Sequence, residues 1–341
     1  MKVLFIGGTG TISSACSQLA VERGLDLYLL NRGLTSERPI PSGATVLTGD
    51  IRDPASVKAA IGTMTFDVVV DWVAYTPNHV ETDIALFRER AGQYIFISTA
   101  SAYHKPVQSL PITESTPLHN PFWQYSRDKI TCEERLLRAY RDVGFPVTIV
   151  RPSHTYDRTR LPFRGRWTIV DRMRKGLPVV VHGDGTSLWV LTHHKDFAKG
   201  FVGLLGRSRA IGEAYHITSD EVLTWDQIFR IVARAAGTCE PELVHIPSEL
   251  INAFDPQWGV GLLGDKTHCV TFDNTKIKRI VPDFTATIPF SQGAEEIITW
   301  FEEDPARQIV DDAHNQLLDK IITTYQAIWP DSNILKGANN D

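Results

Sequence analysis

The chain is poor in cysteine, with 4 in 341 residues (Cys16, Cys132, Cys239 and Cys269). No two have the spacing of a zinc site or a disulfide framework. Free thiols in a reducing compartment are therefore expected, and no metal site. Long apolar runs are also missing. No stretch reaches the roughly 18 apolar residues that a membrane span needs. The N-terminal run Val3-Leu4-Phe5-Ile6 is stopped by Gly7-Gly8 and is too short for a signal peptide. A soluble cytoplasmic protein with no membrane partner is expected. Positive charge is not in excess either: 35 Lys and Arg face 40 Asp and Glu, a formal charge of -5. A nucleic-acid partner held by bulk charge is thus disfavoured. There is no internal repeat and no low-complexity tract. With 43% hydrophobic and 22% charged residues, the composition excludes a disordered or coiled-coil chain. The length suits one large domain or two modest ones.

What is present is an alternation of short apolar runs with helical patterns. Strands are expected at Val3 to Ile6, Leu25 to Leu30, Ala44 to Leu47, Phe66 to Val70, Tyr94 to Ile97 and Val147 to Val150. Continuous apolar strands separated by helices mean a parallel sheet covered on both faces. The fold class is α/β, a doubly wound parallel sheet of the Rossmann type with a smaller C-terminal substrate lobe. Ligands belong at the carboxyl ends of such strands. We place the cofactor-binding domain at 1–157 plus about 190–238. The substrate lobe is then about 158–189 plus 239–300, with an amphipathic C-terminal helix at 305–330.

Gly7-Gly8-Thr9-Gly10 joins the first strand to the first helix. Glycines there permit a tight turn and close approach to a pyrophosphate, which the helix N-terminus attracts. Gly7 and Gly10, with Thr11 and Ile12, are the candidate contacts. Ser13 stands where a third glycine is usual. After the second strand the chain reads Asn31-Arg32-Gly33, with no acidic residue to hold ribose hydroxyls. Arg32 can accommodate a 2′-phosphate, which tilts the choice of cofactor toward NADP over NAD. Asp50 and Ile51 follow the third strand and can flank an adenine. Asp50 also reads as a helix cap ahead of Pro54.

Tyr125 and Lys129 are four apart in a helical segment and share a face. A nearby ammonium is expected to lower the tyrosine pKa from about 10. Lys129 can also reach the nicotinamide ribose. The fifth strand ends in Ser98-Thr99, whose hydroxyls can orient a substrate oxygen.

With these pieces in this order, the chain resembles the extended short-chain dehydrogenase/reductases, the NAD-dependent epimerase/dehydratase family. The stretches that carry the resemblance span about residues 1 to 305. They include Gly7 to Ser13, Gly49-Asp50-Ile51-Arg52-Asp53, Ser98 to Tyr103, Tyr125-Ser126-Arg127-Asp128-Lys129, Arg151-Pro152 and His194-Lys195-Asp196-Phe197-Ala198. The Asn31-Arg32-Gly33 turn resembles that of the chloroplast stem-loop-binding branch of this superfamily. The resemblance implies that Thr99 is the catalytic hydroxyl, Tyr125 the acid/base and Lys129 its partner. It implies NAD(P)-dependent oxidation, reduction or epimerisation at a sugar or nucleotide-sugar hydroxyl, and a homodimer. Members that perform 4,6-dehydration carry Asp-Glu where this chain has Ala100-Ser101, so that reaction is disfavoured. A simple NADP-dependent ketone or alcohol reductase, or a dinucleotide-binding regulatory or RNA-binding protein, are the alternatives.

The resemblance also implies that the lobe after Arg151 binds substrate. Residues 158 to 175 hold seven Arg or Lys and one Asp. Arg164 and Arg166 are candidates for a substrate phosphate, and Phe163 or Trp167 for stacking on a ring. Ser101, His154 and Tyr156 are further substrate candidates near the cleft. His193 and His194 are expected on opposite faces of a strand, a poor metal arrangement. The glycine-rich stretch Trp258 to Gly264 reads as a loop.

Overall fold

The computed structural model describes residues 1–33, 38–238 and 240–327; Cys239 and part of the 305–330 helix therefore lie outside the described residues. Six strands run through the first half of the chain: β1 (Lys2–Ile6), β2 (Asp26–Asn31), β3 (Thr45–Thr48), β4 (Phe66–Asp71), β5 (Ala91–Ile97) and β6 (Val147–Pro152). Strand Ala214–Ile217 joins them in one parallel sheet of seven. The order is Ala214–Ile217, β6, β5, β4, β1, β2, β3. The chain winds outward from β1 in both directions, and the reversal opens a crevice above the carboxyl ends of β1 and β4.

Alternation along the strands explains why both faces are covered. Val3 and Phe5 point into one core with Leu27, Leu29, Val68 and Val70. That core is closed by helix α1 (Ser13–Glu22) and by helix His194–Leu204. Leu4 and Ile6 point the other way, into a core with Val69, Tyr94 and Phe96. Helices α2 (Pro54–Ile61), α3 (Pro77–Phe87) and α4 (Gln124–Val143) cover that side. Successive strand residues face opposite sides, so a run apolar at every position packs on both. Each large side chain buried in this way contributes on the order of 1.5–3 kcal/mol.

Local signals set the helix ends. Asp53, not Asp50, caps α2, accepting from Ala55 N at 3.0 Å with Pro54 following. The Asp50 carboxylate instead accepts from Arg52 N, which leaves the residue on the crevice side. Helix α4 stops at Gly144, in the left-handed conformation that glycine adopts without a Cβ clash.

A third core gathers Trp167, Val179 to Val181, Trp189 and Trp225 with Phe290, Ile297, Leu318 and Ile321. Helix Trp225–Ala235, expected with the first domain, buries its apolar face here. The stretch Trp258 to Gly264 is not a loop. It is covered by helix Pro256–Gly261, capped by Asp255, and a π-helical turn Leu262–Lys266. The expected single helix from 305 is interrupted: a short turn at Pro305–Arg307 precedes helix Asp312–Gln326, which Asp311 caps. None of the described helices is long and apolar enough to cross a membrane.

Helix α4 is pinned to the sheet by charge. Glu133 accepts from Arg151 Nε at 3.0 Å and Nη2 at 2.6 Å, and from Ser98 Oγ. All three residues are buried. Removing one partner of a buried pair leaves the other charge without solvation. Glu133→Ala is expected to lower the unfolding free energy by about 3–5 kcal/mol, read from urea titration; a loss below about 1 kcal/mol, the range of an exposed pair, would contradict this role.

Candidate active site

The crevice holds an open cleft of about 1320 Å³ and, continuous with it, a smaller cavity of about 280 Å³. Both are lined by Thr99, Tyr125, Pro152, Ser153 and His154.

The larger cleft begins at the turn after β1. Gly7 and Gly8 have φ of +97° and +106°, values that side chains rarely adopt. A Cβ on Gly8 would stand 2.7 Å from Leu29 Cδ2. No side chain caps α1 at Ile12; Ser14 N donates to the Gly10 carbonyl at 3.0 Å and Gly10 N to Ser13 Oγ at 2.8 Å. The lining continues through Asn31, Arg32 and Gly33 to Asp50, Ile51 and Arg52, then Tyr75 and Lys129. All the predicted cofactor residues, including Gly10, Thr11 and Ile12, therefore line one cleft. Its glycine floor at a helix N-terminus and its size fit a dinucleotide.

Sequence reasoning missed Arg38, Arg52, Tyr75, His79 and Arg160 here. Arg38 Nε meets Asp157 at 2.6 Å, and its Nη2 reaches Thr159 at 2.6 Å and Thr11 at 3.2 Å. It bridges the glycine loop to the segment after β6. No motif signals this contact, because its ends are over a hundred residues apart.

At the junction of the two spaces stand three predicted residues. Thr99 follows β5 and caps a short turn, with Oγ1 3.0 Å from Ser101 Oγ. Ser101 Oγ is in turn 2.7 Å from Ser126 Oγ. Ser98 also lines the larger cleft, but its hydroxyl donates to Glu133. Tyr125 and Lys129 lie one turn apart on α4. Lys129 Nζ donates to the carbonyls of Ala74 at 2.5 Å and Ile97 at 2.7 Å. It sits over the rings of Tyr75 at 4.8 Å and Tyr125 at 5.8 Å.

The electrostatics depart from expectation. Burial pushes the Tyr125 phenol up to about 12, assisted by Tyr75 and opposed by the hydrogen bond with Thr99. Burial also pushes the Lys129 ammonium down to about 8. The lysine does not depress the tyrosine in the protein alone, because it is itself desolvated and engaged by two carbonyls.

The remaining candidates divide. Ser101 and His154 line the smaller cavity with Trp123, Trp189, Asp265, Lys266, Val270 and Phe272. Burial, then the Lys266 charge, holds His154 neutral with a pKa of about 3, and its Nδ1 accepts from Trp189 Nε1 at 3.1 Å. Tyr156 is not in the cavity. It is 1% exposed, packed edge-on against Phe290 and His193. Arg164 and Arg166 line neither space. Arg164 pairs with Asp255 at 2.8 Å, and Arg166 is an exposed residue ahead of helix Trp167–Arg174. Further along that basic stretch Arg172 holds Asp319 and Asn315, and Arg174 holds Glu302, whereas Arg160 is exposed and lines the larger cleft. Phe163 stacks on Phe229 and Trp167 on Phe301, so neither is free to stack on a ligand. His193 and His194 do not face apart: their ring centroids are 4.8 Å apart where a strand gives way to a helix, and His193 bonds Glu296.

A seven-stranded parallel sheet with a glycine turn after β1 and a Tyr–Lys face beside the β5 hydroxyl defines a Rossmann-type α/β protein. The model of the NAD dependent epimerase/dehydratase family matches residues 84–218, the middle part of the chain. Among curated proteins it is similar to the chloroplast stem-loop binding protein of 41 kDa b from Arabidopsis thaliana, 29% identical over 256 residues. That alignment covers 72% of this chain and 65% of the plant protein, slightly under two thirds of its length. It is also 25% identical to 2'-dehydrokanamycin reductase from Streptomyces kanamyceticus over 245 residues, 70% of this chain and 67% of the reductase. Among solved structures, UDP-glucose 4-epimerase from Bifidobacterium longum, in complex with NAD+ and UDP, shares the fold. The TM-score is 0.71 at 18% identity, over 89% of this chain and 99% of the epimerase.

The Lys129 pKa supplies a stability test. Its folded value of about 8 lies below the ordinary 10.5, so the unfolded chain binds more protons between those two pH values. Stability then rises with pH across that window. Lys129→Met is expected to lack this contribution, so that wild-type stability minus variant stability rises between pH 8 and 10.5, read from denaturation at each pH; parallel curves would refute the assignment.

Proposed function

We propose that the protein is an NAD(P)-dependent oxidoreductase or epimerase acting on a secondary hydroxyl or its ketone. The observation that carries this reading is the meeting of Thr99, Tyr125 and Lys129 where a dinucleotide-sized cleft joins a sugar-sized cavity. Gly7, Gly10, Thr11 and Ile12 would hold the cofactor pyrophosphate. Asn31 and Arg32 would hold the adenosine ribose, Asp50 and Ile51 the adenine, and Lys129 the nicotinamide ribose. When bound, the nicotinamide supplies hydride acceptance and return. Arg32, with no acidic neighbour at that turn, favours a 2′-phosphate and hence NADP.

The protein's own groups then manage the substrate oxygen. Thr99 Oγ1 holds it by a hydrogen bond. Tyr125 Oη donates its proton to a carbonyl oxygen during reduction, and takes the hydroxyl proton in the reverse direction. The phenol raised to about 12 rests in the protonated form that reduction uses. An epimerase would retain the ketone and reduce it on the opposite face with the same groups. The 4,6-dehydratase reaction is disfavoured, because Ala100 and Ser101 offer no acid pair.

The cavity volume of about 280 Å³ favours a sugar-sized substrate. Of the basic stretch proposed as a diphosphate grip, Arg164, Arg172, Arg174 and Lys175 are engaged in ion pairs elsewhere. The same pairing counts against an RNA-binding role, despite the likeness to a stem-loop binding protein. A homodimer through α3 and α4 is part of the proposal.

Tyr125→Phe is expected to lower kcat by about 10²–10⁴-fold with cofactor binding unchanged in fluorescence titration. Normal turnover by this variant would end the proposal. Arg32→Ser is expected to reduce the preference for NADP over NAD by about 10-fold, the loss of one charge-assisted contact. An unchanged ratio of dissociation constants would remove Arg32 from cofactor choice.

A further inference from the structure

The smaller cavity carries a charge that the proposed chemistry does not use. Asp265 and Lys266 enter it side by side from the turn Leu262–Lys266. Asp265 is already matched, since its Oδ1 lies 3.4 Å from Nζ of Lys105, whose side chain is buried behind it. Lys266 has no ion pair of its own, although the neighbouring Asp265 favours its charged form. Among the described residues no carboxylate pairs with its Nζ, which lies over the Trp189 ring at 5.9 Å.

The backbone of Lys266 is nonetheless tightly held. Its carbonyl accepts from His182 Nε2 and Trp225 Nε1, each at 3.1 Å. The residue is therefore fixed in place while its ammonium is left to the cavity. Two cations, Lys105 and Lys266, stand against one anion, Asp265, and His154 beside them is neutral. Lys266 is half-buried and lines the cavity without an ion-pair partner, and a ligand anion seated there would form a charge-assisted contact with it.

We propose that Lys266 pairs with a carboxylate of the substrate, so that the cavity takes a sugar-sized hydroxy or keto acid. The inference rests on the reading of this site as a hydroxyl oxidoreductase and adds the substrate class. Trp123, Trp189 and Phe272 supply apolar walls, and Thr99 with Tyr125 addresses the reacting oxygen. A nucleotide diphosphate needs more cations than this cavity presents. One ammonium in a compact space matches one carboxylate.

The test uses the full chain loaded with cofactor. Gluconate, galacturonate and glycerate are titrated beside their methyl esters, a hexose phosphate and UDP-glucose, with tryptophan fluorescence and nicotinamide absorbance as readouts. At least one acid is expected to bind about 10- to 100-fold more tightly than its ester, the worth of a charge-assisted contact. Lys266→Gln is expected to erase that preference and Lys266→Arg to keep it, both with cofactor affinity unchanged. The inference is overturned if esters bind as well as acids, if no acid binds, or if the phosphate or UDP-glucose is preferred. Persistence of the preference in Lys266→Gln overturns it too. The two readings fail separately. Tyr125-dependent turnover of a neutral substrate would sink the carboxylate alone. An acid preference lost in Lys266→Gln, with Tyr125→Phe fully active, would sink the Tyr125-assisted mechanism alone.

Discussion

The buried pair of Glu133 and Arg151 is the constraint on which the site depends. Arg151 closes β6, Ser98 ends β5, and Glu133 lies on α4 one turn beyond Lys129 and two beyond Tyr125. Every i, i+4 step returns to the same helical face. Fixing Glu133 on the sheet edge therefore fixes where Lys129 and Tyr125 emerge. A charged pair suits this task better than apolar packing because its hydrogen bonds have direction. The cost of burying it makes any other seating of the helix unfavourable.

The same burial that orders the site sets its resting charge. Lys129 gives its protons to the Ala74 and Ile97 carbonyls, which ties α4 to the ends of β4 and β5. It is thereby a strut between elements as well as a neighbour of Tyr125. The phenol, shielded and facing Thr99, stays protonated in the protein alone. Charge brought by ligands then decides which protonation state the reaction starts from. Lys266 extends this logic to the second cavity, where an ammonium is held ready without a partner of its own.

Much of this was legible in the residues. The glycine turn, Asn31-Arg32, Asp50-Ile51 and the Tyr–Lys pair all line the same cleft, because each signal is local to a strand end or one helix face. What failed had no local signal. Arg164 and Arg166 look like a phosphate grip when counted along the chain. Whether an arginine faces a ligand or another helix depends on partners such as Asp255, Glu302 and Asp319, brought near only by folding. Tyr156 shares its strand with His154, yet Phe290, far along the chain, closes over it. Arg38 and Lys266 were overlooked for the converse reason. Neither belongs to a motif, and each gains its place from contacts across the fold.

The sequence by itself determined the doubly wound sheet, through strands apolar at every position, and the order of glycine turn, strand-end hydroxyl and Tyr–Lys face. Periodicity and backbone chemistry act over a few residues, so they can be read without coordinates. Only the tertiary structure decided which charges are spent on packing and which face a cavity. It also decided that Tyr125 rests protonated, and that one lysine, Lys266, waits without a carboxylate among the described residues. Desolvation and ion pairing depend on what surrounds a group in space, and that neighbourhood is assembled from distant parts of the chain.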